Sequence, residues 1–140
     1  MTWEEERKKR YRFKNIYQSS VMNIDRIHPL QQKNVISIVK ELQKSDIEKV
    51  VVIGSSLNMR CNPWSDLDLV FYGALDGPHR AYVEMKVLSV VEGVVDMLWM
   101  QDIKDTNRIL EDIEGGVAVY EQTSFKCKHN QYMGDANKVL

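Results

Sequence analysis

Two cysteines in 140 residues leave this chain without a disulfide framework, and Cys61 and Cys127 show no metal-ligand spacing. Three histidines, His28, His79 and His129, are scattered with no partner pattern, which reads as surface or helix-capping use rather than catalysis. No apolar run approaches the roughly 20 residues of a membrane span. The opening Met1-Thr2-Trp3-Glu4-Glu5-Glu6 is acidic where a secretory signal is basic and then apolar, so the expected compartment is the cytoplasm. Charge of one sign is also missing: 19 Lys and Arg against 20 Asp and Glu give a formal net charge of −1. That removes any global field toward nucleic acid or membrane and argues against a long polymer substrate. Neither repeats nor low-complexity tracts nor a second domain are visible.

What is there is an ordinary globular balance, 44% hydrophobic and 28% charged, enough for one domain with a real core. Its most informative stretch begins at Val50-Val51-Val52-Ile53, a β-branched run that reads as a buried strand. Gly54-Ser55 follows, then a polar excursion with an Asn62-Pro63 turn. A second strand is expected from Ser65, where Ser65-Asp66-Leu67-Asp68-Leu69 alternates acidic and apolar residues. Residues two apart in a strand share a face, so Asp66 and Asp68 would stand about 7 Å apart on one side. Two carboxylates so placed repel unless a cation lies between them, and their hard oxygens suit Mg²⁺, which keeps waters and substrate phosphates as further ligands. Gly54 permits close backbone approach, and a short helix started there would offer free N–H groups to a phosphate.

Gly-Ser, ten residues, then Asp-x-Asp resembles the signature of the DNA polymerase beta nucleotidyltransferase superfamily, in particular its minimal single-domain members. Gly54, Ser55, Asp66 and Asp68 match that motif, with Ser65 and Leu69 as its usual flanks, and the resemblance covers roughly residues 30 to 122. It implies a third carboxylate on a later strand, for which Asp96 in Val94-Val95-Asp96-Met97-Leu98-Trp99 is the candidate. It further implies two Mg²⁺ ions (or Mn²⁺) held by Asp66, Asp68 and Asp96, with Gly54, Ser55 and Ser65 at the nucleotide. The implied reaction is transfer of a nucleoside monophosphate from an NTP, first of all ATP, to a hydroxyl. Some similar small proteins pair with a helical partner, and some such pairs are toxin–antitoxin systems, so a protein hydroxyl and a small molecule are both implied acceptors. Leu57 and Met59 depart from the small residue and glycine common in the family's loop.

The expected fold is α/β (α+β), a mixed sheet of about four strands with helices mainly on one face. Residues 1–28 form an N-terminal segment with a charged helix over 3–26, 29–122 the nucleotidyltransferase domain, and 123–140 a polar tail. The basic run Arg7 to Lys14, with Tyr11 and Phe13 interleaved, reads as a solvated helix face paired with Glu4–Glu6 rather than as an RNA contact. Pro29 opens a second helix, to about Lys44, with Leu30, Val35, Ile38, Val39 and Leu42 inward. A helix from His79 to Val91 is expected to bury Tyr82, Met85, Val87, Leu88 and Val91, and one from Asp102 to Ile113 to bury Ile103, Ile109, Leu110 and Ile113. Gly115-Gly116 ends it before a last strand, Val117–Tyr120. Two further function classes stand beside the transferase: a non-catalytic interaction module of the same fold, and a basic-helix RNA binder. A homo-oligomer is compatible with the apolar face of the first helix, and nucleic acid is disfavoured by the neutral charge.

Overall fold

The run Lys49–Ile53 (β1) lies inside a four-stranded sheet, paired antiparallel on both sides, with Leu67–Tyr72 (β2) and with Val117–Glu121 (β4). Val95–Trp99 (β3) adds to β2 in parallel, giving the order β3-β2-β1-β4. A computed structural model of the chain describes residues 10–103 and 107–122. The parallel pair needs a crossover, and the helix Gly77–Val90 (α2) supplies it. With Pro29–Leu42 (α1) it covers one face, where Val50, Val52, Leu67, Leu69, Phe71, Val95, Val117 and Val119 are buried. The other face carries a smaller cluster, Val51, Ile53 and Val70, met by Ile103 and by Ile113 of the helix Asn107–Glu114 (α3). The α/β expectation of a mixed four-stranded sheet with helices mainly on one side is therefore correct.

Helix starts follow the capping chemistry. His28 caps α1, its Nδ1 accepting from the Leu30 amide at 3.1 Å, with Pro29 in the first turn. Asp76 caps α2 by accepting from the His79 amide at 3.0 Å. At the other end of α3, Gly116 lies where a Cβ would come within 2.9 Å of the Val52 carbonyl oxygen, so β4 can approach β1 only with glycine there.

Three expectations need correction. The N-terminal helix does not form in its described part: residues 10–23 are irregular, followed by a 3₁₀ turn, Ile24–Arg26. The backbone there is held instead by side chains. Fully buried Gln32 donates to the carbonyls of Lys14 (2.8 Å) and Ile27 (2.9 Å) and accepts from the Ile16 amide, while the Asn15 side chain donates to the Ser19 carbonyl and accepts from the Ser19 amide. Such local polar partners compete with helical hydrogen bonds. Secondly, α2 turns a partly different face inward: Val87 is buried as expected, but with Val83 beside it, whereas Tyr82, Met85 and Leu88 are 56%, 68% and 54% exposed. Apolar residues occur on both sides of this helix, and anchors fix the choice. Glu84 accepts from Trp99 Nε1 at 2.7 Å, and the Arg80 guanidinium lies over the Trp99 ring. Thirdly, Leu30 is half exposed, and β2 begins at Leu67 rather than Ser65. The expected tail, 123–140, with Cys127 and His129, lies outside the described residues.

Candidate functional site

Asp68 is the second residue of β2 and Asp96 the second of β3, and the parallel register sets them opposite each other. Leu67, Leu69 and Phe71 point into the large core, so Asp68 faces the side of the smaller cluster with Val70. Asp96, between core-facing Val95 and Met97, faces the same way. The acids thus share the face that, among the described residues, Ile103 and α3 cover.

β1 ends opposite them. Ile53 pairs with Asp68, and Gly54 then turns with φ +82° into a 3₁₀ turn, Gly54–Leu57. A Cβ at position 54 would lie 2.7 Å from Asp68 Oδ2. Both the left-handed backbone and the close approach demand glycine. Ser55 is half-buried beside it, and its carbonyl accepts from the Asn58 amide at 3.1 Å. The next residue, Ser56, was not singled out from sequence. It is fully buried, its carbonyl accepts from the His28 amide at 2.8 Å, and its hydroxyl has no hydrogen-bond partner among the described residues. Nothing in the sequence distinguishes it from its neighbour Ser55.

The loop between the Gly-Ser step and the acids is tied down by its own polar atoms. Asn62 Oδ1 accepts from the Trp64 amide at 2.8 Å, and the Asn62 amide donates to Ser65 Oγ at 2.9 Å. The Ser65 carbonyl accepts from the buried Gln31 side chain at 3.1 Å. Ser65 is thus a clamp that fixes where Asp66 begins. Cys61 is buried in this loop, and burial raises its thiol pKa despite a hydrogen bond with Ser65, as expected of a small filler rather than a reactive thiol.

Electrostatics single out Asp68. Its pKa is pushed up from the ordinary 3.8 to about 6, first by burial, then by a hydrogen bond with Asp96, then by the charges of Asp96, Asp66 and Asp112. The hydrogen bond to Asp96 favours the protonated form of Asp68, so Asp68 holds its proton to a higher pH than an isolated carboxyl would. Asp66 is exposed at the loop's end and contributes charge without contact; among the described residues no three Asp, Glu, His or Cys side chains meet around one point. Asp112, on α3, was not expected here. Its only sequence signal is adjacency to Ile113, which packs on the acids' side of the sheet. His28 and His79 both cap helices and stand outside the site.

No protein-family model matches the chain. A search of curated proteins likewise finds no match. Solved structures do. A toxin–antitoxin complex with AMP-PNP contains a chain that aligns with a TM-score of 0.52 at 18% identity, over 71% of this chain and 91% of that one. The toxin–antitoxin MntA-HepT gives 0.47 at 19% identity, over 74% and 92%. A tri-AMPylated HEPN toxin in complex with MNT antitoxin from Shewanella oneidensis gives 0.47 at 20%, over 74% and 91%. The first of these, taken with the sheet order and the carboxylates at the starts of β2 and β3, establishes the architecture: this chain has the polymerase beta-like nucleotidyltransferase fold.

Proposed function

We propose that the chain transfers a nucleoside monophosphate from a nucleoside triphosphate to a hydroxyl group of a protein acceptor. The observation that carries this reading is the Asp68–Asp96 pair, in register across parallel strands with the Gly54 backbone against Asp68. A structural role alone does not call for two carboxylates set face to face beside a glycine with no room for a side chain.

The donor set fits a hard divalent cation. It offers only oxygen atoms: Asp68 and Asp96 stand opposite each other and would hold the ion, with Asp66 at the loop's end as the further acid the resemblance implies, and water and phosphate oxygens would fill the rest, which is how Mg²⁺ is usually bound. Mn²⁺ accepts the same ligands, and the resemblance implies two ions. When bound, such cations lower the pKa of an acceptor hydroxyl and offset the charge on departing pyrophosphate. The chain's own residues do the rest. Gly54 and Ser55 offer backbone N–H groups to the phosphates from the start of the 3₁₀ turn. Asp96 takes the proton of the acceptor hydroxyl, whose oxygen forms a bond to the α-phosphorus as the bond to pyrophosphate breaks. ATP is the first donor to try, since the toxin–antitoxin complex of the same fold holds AMP-PNP. The family resemblance makes a helical partner protein the first acceptor to try.

One observation favours a second reading, a partner-binding module without transfer: Asp66 is exposed and no third ligand closes on Asp68 and Asp96. Thermal stability with ATP, GTP, CTP or UTP, with and without Mg²⁺, separates the two. A ligand at about 100 times its dissociation constant adds about 2.7 kcal/mol. A metal-dependent rise with one nucleotide, absent in Asp68→Asn, supports transfer and names the donor. No rise with any nucleotide rejects it.

A further inference from the structure

The net charge of −1 hides an uneven distribution. Residues 1–28 hold seven basic and four acidic side chains, a net +3, and the rest of the chain is at −4. Within the described part of that segment the chain runs as a strap in which burial alternates. Tyr11, Phe13 and Asn15 are half-buried, while Arg10, Arg12, Lys14 and Ile16 are exposed. Tyr11 stacks on Phe13 and Phe13 packs against His28, so the inward side is occupied. The outward side therefore presents a cation at every second residue, Arg10, Arg12 and Lys14. At its far end Tyr17 is 51% exposed.

This array is fixed in place. The Phe13 amide donates to the Asp25 carbonyl, Arg26 Nε donates to the Tyr11 carbonyl at 3.2 Å, and Gln32 holds Lys14 and Ile16. Among the described residues acids neutralise it only in part: Asp25 pairs with Arg12 at 2.6 Å, while Arg10 and Lys14 have no acidic partner there. Arg26 adds a fourth positive charge beside them.

We propose that this strap binds single-stranded nucleic acid, with Arg10, Arg12 and Lys14 tracking successive phosphates and Tyr17 stacking on a base. Cations at every second residue of one segment, with an aromatic ring at its end, suit a polyanion of regular repeat. A protein partner would want an apolar centre among the charges, whereas Tyr11 and Phe13 face inward and the exposed apolar side chains, Ile16 and Tyr17, lie together at one end of the cation row. The site is separate from the carboxylates and needs no nucleotidyl transfer.

The test is fluorescence anisotropy of a labelled single-stranded oligouridylate with the full chain, titrated over a salt series. Three phosphate contacts give a slope of log K against log salt near −2, at about −0.7 per contact. Arg10→Ser/Arg12→Ser/Lys14→Ser flattens that slope and weakens binding at low salt at least tenfold, whereas Tyr17→Ala weakens binding with the slope kept. Melting temperature and the nucleotide-dependent thermal shift, measured on the same variants, stay at the wild-type values because Gln32 grips the strap through its backbone. The proposal falls if the oligonucleotide does not bind at low salt, or if the triple variant binds it with unchanged slope. It also falls if polyglutamate of equal charge binds as tightly and competes, because an acidic protein is then the partner.

Discussion

Asp68→Asn should stabilise the metal-free protein above neutral pH and leave it unchanged in acid. The sign follows from a carboxyl whose folded pKa lies above its unfolded one. Below about pH 4 the carboxyl is protonated in both states and adds nothing. As pH rises from about 4 through 6, the unfolded chain releases the proton that the folded chain still holds, and stability is lost; above about 7 the full penalty stands. The displacement from 3.8 to about 6 corresponds to about 3 kcal/mol at 1.36 kcal/mol per pH unit. Asp68 is only half-buried, and solvent screening cuts that to about 1–1.5 kcal/mol. Asparagine keeps a donor for Asp96 and carries no charge. For 140 residues the gain amounts to about 3–5 °C in melting temperature. Melts of wild type and variant in chelator at pH 4.5 and 8 provide the assay, and the difference between the two proteins is the quantity read. An equal gap at both pH values, or a variant less stable than wild type at pH 8, refutes the account of Asp68. Saturating Mg²⁺ should reverse the order at pH 8, because wild type alone gains a ligand there.

Gly54→Ala must place a methyl 2.7 Å from Asp68 Oδ2 at φ +82°, so a loss of about 1–3 kcal/mol and of any Mg²⁺-nucleotide shift is expected in the same melts. Gln32→Leu leaves the Lys14 and Ile27 carbonyls and the Ile16 amide without their partner. About 2–3 kcal/mol should go, and limited proteolysis should cut within residues 10–23 before the sheet is attacked. The orientation of α2 is checked by a pair: Met85→Lys should move the melting temperature by less than about 2 °C, while Val87→Lys puts an unpaired charge into the core and should prevent folding.

Strand order aside, the sheet was legible because its residues leave no second choice. Val50–Ile53 can only be a strand buried on both faces, and Leu67-Asp68-Leu69 can only alternate. The Gly54–Asp68 relation was legible as a motif and has a geometric reason in the space a Cβ would fill. What failed was helical rotation and the N-terminal segment. Tyr82, Met85 and Leu88 make as good an apolar stripe as Val83 and Val87, and the decision lies with Glu84 reaching Trp99, a contact between residues 15 apart in sequence. In the N-terminal segment the periodicity of Phe13, Ile16, Tyr17 and Val21 looked helical, but the alternation of Arg10 to Ile16 was equally present. The choice rests on Gln32, a polar residue at a position fully enclosed by the fold. Asp112 was illegible because a helix eight residues long shows several faces at once.

The core also explains why the acids cannot drift. Pairing β2 one residue out of register would turn Leu67, Leu69 and Phe71, all fully buried, toward the thinly covered face and drive Asp68 and Val70 beneath α1 and α2. Three large apolar side chains would lose their burial, about 1.5–3 kcal/mol each, and a carboxyl would enter a space lined by Val50, Val52 and Val95 with no partner. The same slip would separate Asp68 from Asp96, since the parallel register sets that pair, and from Gly54, since the antiparallel register sets the approach to β1. Each acid is thus positioned by the hydrophobic residue on either side of it. A substitution such as Leu69→Ala, on the face opposite the acids, would loosen the site by the same route that weakens the core.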